Sequence, residues 1–221
     1  MTRNKPDYLT ADMFGGADRD PAFAPGARWL GGFACGVEEP LLAALHEIEA
    51  AAPFRHMVTP GGYRMSVAMT NCGPLGWVSD SKGYRYDRRD PASGLDWPPM
   101  PEVFADLAAR AADLAGFPGF VPDACLINRY QPGAKLTLHQ DRDELDMSAP
   151  IVSVSLGLPA VFVFGGTRRT DPTVRLPLSH GDVVVWGGPA RLAFHGVLSL
   201  REGYHPRLGE QRINLTFRKA A

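Results

Sequence analysis

After Pro122 the chain breaks into short strand-like runs cut by glycine and proline, and this texture restricts the fold more than any other feature. The runs cover residues 124–130, 135–139, 151–156, 161–164, 182–186, 191–194 and 212–218, with Gln131-Pro-Gly, Gly165-Gly and His180-Gly as turns. Many short strands with such turns predict a sandwich or barrel, not a parallel sheet. Upstream, Leu41, Leu45 and Ile48 follow helical spacing over residues 38–51, where Pro40 suits a first turn. Val103, Phe104, Leu107, Ala111 and Leu114 share a face over residues 101–115, and Gly116 supplies a stop. The expected class is mainly β with flanking helices (α+β), a jelly roll backed by two helices.

Residues 1–28 are rich in Gly, Ala, Asp and Pro without periodicity and read as a loosely held N-terminal extension. The rest, 29–221, reads as a single domain, with residues 29–121 in front of a jelly roll at 122–221. Between the helices, residues 55–99 are loop- and strand-like and contain Trp77, Tyr84 and Tyr86. Hydrophobic residues at 45% and charged residues at 21% exclude a disordered or membrane chain. The longest apolar region, 151–164, is broken by Ser153, Ser155, Gly157 and Pro159 and is too short to span a bilayer. With no signal-peptide pattern, and with Cys35, Cys72 and Cys125 odd in number and widely spaced, the reading is a cytoplasmic protein with reduced, mostly buried thiols.

Net charge is −1, which announces no polyanion partner, although residues 164–221 carry nine Arg or Lys against four Asp or Glu. The acids Asp141, Asp143, Glu144 and Asp146 cluster at the end of one predicted strand. By themselves they fit a solvated surface.

Two constellations carry chemistry. In His139-Gln-Asp141, residues two apart on an extended chain face the same way, so imidazole and carboxylate reach one point. His195 on another strand is the candidate third ligand. Two His and one carboxylate on one face of a metal leave the opposite positions open, as in non-haem iron(II) oxygenases. A structural pair without metal is the competing reading of the same triplet. The chain carries a second triplet, His180-Gly-Asp182, whose Gly and position favour a reverse turn with Asp182 serving the backbone. His46 falls on a predicted helix, and His56 and His205 fall in loops.

The second constellation is residues 212–218, where alternation sets Arg212, Asn214, Thr216 and Arg218 against Ile213, Leu215 and Phe217. Two arginines facing a barrel interior need anionic partners, because an unpaired buried charge is very costly. A dicarboxylate supplies two, and a guanidinium fork matches a carboxylate. Asn128 and Tyr130 share a face on the strand 124–130 and add donors.

Residues 57–73, 122–130, 150–159 and 180–188, together with Leu138-His-Gln-Asp-Arg-Asp-Glu144 and Asn214-Leu-Thr-Phe-Arg218, closely resemble the bacterial AlkB family of alkylation-damage dioxygenases. The resemblance runs from about residue 54 to 218 and thins at 1–30, 79–93, 167–175 and 201–211. It implies a double-stranded β-helix with a nucleotide-recognition lid within 29–121, and iron(II) held by His139, Asp141 and His195. It further implies 2-oxoglutarate held by Asn128, Tyr130, Arg212, Asn214 and Arg218, with O₂ as co-reactant. Trp77, Tyr84, Tyr86, Asp143 and Arg169 are the implied nucleic-acid contacts. Trp77, opposite the ring of His139, would stack on a flipped base, and Asp143 would favour a cationic one. The implied activity is oxidative demethylation of N1-methyladenine and N3-methylcytosine in DNA, preferring single strands, with RNA as a further substrate. The enzyme would act as a monomer with no membrane partner. An oxygenase acting on RNA, a nucleoside or a small molecule, and a non-catalytic jelly-roll binding module, are the rival readings of the residues.

Overall fold

The computed structural model describes residues 22–221. In chain order its elements are β1 (Ala22–Ala24), β2 (Ala27–Leu30), α1 (Glu38–Ala51), β3 (Arg55–Val58), β4 (Arg64–Cys72), β5 (Gly76–Asp80), β6 (Gly83–Asp87), α2 (Glu102–Leu114), β7 (Ala124–Tyr130), β8 (Leu136–His139), β9 (Ile151–Gly157), β10 (Ala160–Phe164), β11 (Val174–Leu178), β12 (Val183–Trp186), β13 (His195–Val197) and β14 (Arg212–Arg218). An eight-stranded sheet runs β1-β2-β12-β9-β14-β7-β4-β3, a four-stranded sheet runs β11-β10-β13-β8, and β5 and β6 form a separate hairpin.

Period-two alternation divides the interior in two. Ile213, Leu215 and Phe217 of β14 join Val152, Val154 and Leu156 of β9 on the outer face of the large sheet. There they pack against Leu41, Leu45 and Ile48 of α1 and Phe104 and Leu107 of α2. Phe217 meets Phe104 edge-to-face, with ring centroids 5.9 Å apart. The inner face looks toward the small sheet across Phe162, Phe164, Val184, Trp186 and Val197. Helices on one side and a second sheet on the other make the expected jelly roll.

Both helices fall where their periodicity put them. Helix α2 ends in a Schellman pattern: Gly116, at φ +90°, donates to Asp113 O (3.0 Å) and Phe117 N to Ala112 O (2.8 Å). Four details differ from expectation. Of the expected N-terminal extension, residues 1–21 lie outside the described residues, and from Ala22 the chain is already in the sheet, because β1 pairs with β2 and β2 covers the open edge of β12. The strand expected at 191–194 is a turn, and the strand itself begins at His195. Gly187-Gly-Pro189 bends the chain, and Ala193 N closes a turn on Ala190 O at 2.8 Å. Strand β11 was not foreseen, since Pro177 breaks its pattern. It pairs only with β10, at a sheet edge where a missing N–H is tolerated. His56 lies on β3 rather than in a loop, with Nδ1 2.8 Å from Met65 O.

Phe217→Ala opens a cavity between sheet and helix α2 and is expected to lower stability by about 3–5 kcal/mol, read from the midpoint of chemical denaturation.

Candidate metal centre and its cavity

Strands β8 and β13 are antiparallel neighbours, and His139 and His195 are direct cross-strand partners. Each ring is oriented by its own backbone. Nδ1 of His139 lies 2.9 Å from Thr137 O and Nδ1 of His195 lies 3.0 Å from Ala193 O. Carbonyl oxygens accept only, so both Nδ1 atoms carry the proton and both Nε2 lone pairs are exposed to a common point. Asp141, two residues beyond β8, brings Oδ1 to 3.7 Å from His139 Nε2 and Oδ2 to 3.6 Å from His195 Nε2. All the ligand atoms lie within 4.8 Å of one another, and this is the group of metal-binding type found among the described residues.

The electrostatics suit a cation. Burial, with His139 beside it, pushes the His195 imidazole down to about 4, so the ring is neutral and free to ligate. Burial alone would raise the Asp141 carboxyl, but the Arg218 guanidinium and the two imidazoles outweigh it and hold the group well below the usual carboxylate range. Arg218 donates to Asp141 Oδ2 through Nε (3.1 Å) and Nη2 (2.7 Å), which fixes the carboxylate rotamer. The second triplet does none of this. Asp182 accepts from Gly32 N and Ser179 N, both at 2.8 Å, and His180 Nδ1 accepts from Gly157 N at 2.9 Å.

The three residues line a cavity of about 720 Å³. On its wall β14 and β7 contribute Arg212, Asn214, Arg218, Asn128 and Tyr130, as alternation required. Asn214 is held by Ser153 Oγ (2.8 Å), Val154 O (3.0 Å) and Thr216 Oγ1 (3.0 Å). Arg218 finds its anion within the protein. Arg212, 1% exposed, does not: Nη2 donates to Ser155 Oγ at 2.7 Å, while Nε and Nη1 have no partner. Its guanidinium carbon sits 5.0 Å from the centroid of the Tyr130 ring, and burial pulls its pKa below the usual value. Asn128 Oδ1 is also buried without a donor. A buried cation with two unused donors is a seat for a carboxylate, and the neighbouring His-Asp-His face is a seat for iron(II). The residues therefore fit a metal and a dicarboxylate together.

The cavity mouth carries the other foreseen residues unequally. Trp77 and Tyr84 stack on each other at 5.6 Å and 13°, and Trp77 Nε1 donates to Asp143 Oδ2 at 2.9 Å. Arg169 donates to Leu138 O at 2.8 Å, and its guanidinium carbon lies 5.8 Å from the centroid of the Phe194 ring. These four line the cavity. Tyr86 turns away from it and donates to Glu144 Oε1 at 2.6 Å. Two residues near the site escaped sequence reasoning. Glu144 looked like one more surface acid yet is buried, and Arg191 was assigned to a strand that does not exist. The sequence signals for Glu144 were its place in an acidic run beside Asp141 and at the end of the segment 138–144 that carries the family resemblance.

Two facing antiparallel sheets that hold an open His-Asp-His face beside a buried arginine define the class, an iron(II)- and 2-oxoglutarate-dependent oxygenase. The family described as 2OG-Fe(II) oxygenase superfamily matches residues 26–218. The alpha-ketoglutarate-dependent dioxygenase AlkB of Escherichia coli (strain K12) is 57% identical over 212 residues, 95% of this chain and 97% of that protein. DNA N(6)-methyladenine demethylase ALKBH1C of Arabidopsis thaliana is 34% identical over 171 residues, 66% of this chain and 38% of that protein. The solved structure of OsALKBH1 superposes with a TM-score of 0.81 at 29% identity, covering 90% of this chain and 99% of that one. The chain belongs to the AlkB family within the 2OG-Fe(II) oxygenase superfamily.

Asp141→Ala removes the one anion from the ligand set. Stoichiometric Mn(II) binding, followed by electron paramagnetic resonance, is expected in the parent protein and lost in the variant. Asp182→Ala, in the decoy triplet, should lower stability and leave Mn(II) affinity unchanged.

Proposed function

We propose that this protein removes alkyl groups oxidatively from damaged bases in nucleic acid, above all N1-methyladenine and N3-methylcytosine in single-stranded DNA, with RNA as a further substrate. One observation carries the reading. The metal-binding face, the unpartnered Arg212 and the stacked pair Trp77–Tyr84 all open on the same cavity. Its depth suits a small dicarboxylate and its mouth suits a flat ring.

His139, Asp141 and His195 would hold iron(II), and Arg212 would pair with a carboxylate of 2-oxoglutarate, with Asn128, Tyr130, Asn214 and Arg218 as the further polar groups of its seat. Iron, 2-oxoglutarate and O₂ supply the oxidation, yielding succinate, CO₂ and an N-hydroxymethyl base. The protein supplies position. Methylation on the pairing edge abolishes pairing, so the base leaves the stack cheaply. Trp77, whose one face is already taken by Tyr84, offers the other to it. Both favoured lesions are cations, and Asp143 is the carboxylate at the mouth that attracts them. The hydroxymethyl group leaves as formaldehyde, restoring an uncharged base that Asp143 no longer holds. Arg169 meets the phosphate backbone. Tyr86 contributes to nucleic-acid binding by holding the β5–β6 hairpin in place. No helix among the described residues is long and apolar enough to cross a membrane. A nucleic-acid substrate and buried thiols at Cys72 and Cys125 support action in the cytoplasm.

Mass spectrometry of an N1-methyladenine oligonucleotide incubated with iron(II), 2-oxoglutarate and ascorbate is expected to show the unmodified oligomer, with formaldehyde released. An untouched oligomer alongside consumed 2-oxoglutarate would reassign the substrate. Arg212→Met keeps the side-chain volume and removes the charge. Its affinity for 2-oxoglutarate, measured by calorimetry with Mn(II) bound, should fall by about 10- to 100-fold, the scale of a charge-assisted hydrogen bond. Trp77→Ala should raise KM for the oligonucleotide by a similar factor, since stacking on one base contributes about 1–3 kcal/mol.

A further inference from the structure

Strand β8 ends at His139, so Asp141 lies beyond the ladder that orients the two histidines. The chain returns to regular structure only at Ile151. What holds Asp141 in place is two arginines. Arg218 takes its side chain. Arg191, four residues before His195, takes its main chain, donating from Nη1 to Asp141 O at 2.7 Å. The remaining nitrogens of Arg191 are also engaged, Nε with Ala149 O at 3.0 Å and Nη2 with Glu144 Oε2 at 3.0 Å. Thus one guanidinium ties the segment carrying Asp141 to the segment leading into His195.

Glu144 completes the arrangement. Its side chain is 1% exposed, and Oε1 lies 3.4 Å from Arg218 Nε and accepts from Tyr86. Two buried cations and two buried carboxylates therefore balance before any metal arrives. Without the charge on Glu144, Arg218 would be left to Asp141 alone. The carboxylate would then be drawn toward the arginine and away from a competing cation.

We propose that Arg191 and Glu144 form a positioning clamp that fixes Asp141 relative to His195 and so sets how tightly the site holds a divalent metal. The inference rests on the reading of His139, Asp141 and His195 as the metal ligands. Neither clamp residue touches the metal or the substrate. Arg191 acts through the Asp141 carbonyl, and Glu144 acts through both arginines. Outer partners of this kind typically alter metal affinity by about 10- to 100-fold.

The test is a Co(II) titration of the metal-free full-length protein, followed by its ligand-field absorption, with circular dichroism to establish folding. Glu144→Gln keeps shape and removes charge. The double variant Arg191→Met/Glu144→Leu removes both charges together, a change that buried ion pairs often tolerate without loss of stability. Both are expected to bind Co(II) about 10- to 100-fold more weakly and to show a shifted absorption band at saturation. Asp90→Asn, which weakens the Arg55–Asp90 ion pair elsewhere in the fold, controls for stability and should leave both readouts unchanged. Folded clamp variants that bind Co(II) with parental affinity and an unshifted band would overturn the proposal. Equal binding by the parent and by Asp141→Ala would instead sink the ligand assignment beneath it.

Discussion

The register of β14 is the constraint on which the rest of the structure depends. Between β7 and β9 the strand is paired along its length on both sides, Arg212 opposite Tyr130 and Gly157, and Phe217 opposite Cys125 and Val152. A slip of one residue would turn Arg212 and Arg218 into the helix-packed layer and push Ile213, Leu215 and Phe217 into the cavity. Burial of three large apolar side chains against α1 and α2 opposes that slip by several kcal/mol. The site thus inherits its orientation from the hydrophobic layer behind it. Gly157 is part of the same device: at φ +90° it turns β9 toward β10, and a Cβ there would sit 2.4 Å from Gln211 O, one residue before β14.

Charge balance then separates the two arginines of that strand. Arg218 is raised in pKa despite its burial, because Asp141, Tyr86 and Glu144 surround it. Arg212 is lowered, because burial meets no carboxylate. The same residue type on the same face of one strand is in one case tied to a carboxylate and in the other a buried guanidinium whose Nε and Nη1 meet no protein acceptor. Sequence reasoning demanded an outside anion for both. Partners contributed from residues 141–144, a segment far away in the chain, explain why only one still needs it.

Local pattern was legible where local forces decide the outcome. Helical spacing with a terminal Gly116 placed α2, and alternation placed the inward face of β14. The two H-x-D triplets show where local pattern stops. Both obey the same spacing, and only tertiary contacts separate them: Gly32 N and Ser179 N take the two oxygens of Asp182 and Gly157 N takes Nδ1 of His180, whereas in the first triplet both histidines turn Nε2 toward a carboxylate that Arg218 holds in place. The family resemblance favours the first triplet as the metal site. It did not reveal the position of β13, the edge strand β11 or the pairing of β2 with β12. Each of these depends on a distant strand with an open edge rather than on its own sequence. Tyr86 is the sharpest case. On β6 it shares a face with Tyr84, yet its hydroxyl reaches a buried carboxylate while Tyr84 stacks at the mouth.

The segment from Asp141 to Glu144 joins these parts. Asp141 faces the metal position, Asp143 accepts from Trp77, and Glu144 accepts from Tyr86 and Arg191. Residues 141 and 143 line the cavity, while 144 points into protein. The hairpin that presents Trp77 and Tyr84 is therefore hydrogen-bonded to the same four residues that supply the carboxylate ligand. A shift of that hairpin cannot leave Asp141 unaffected, because both are referred to one short stretch of irregular chain. Tyr86, Glu144 and Asp141 are linked through Arg191 and Arg218, and the effects of substitutions at these three should couple rather than add. The stacked aromatic pair at the cavity mouth and the His-Asp-His face are consequently one mechanical unit, carried by side-chain hydrogen bonds where the sheet ladder has ended.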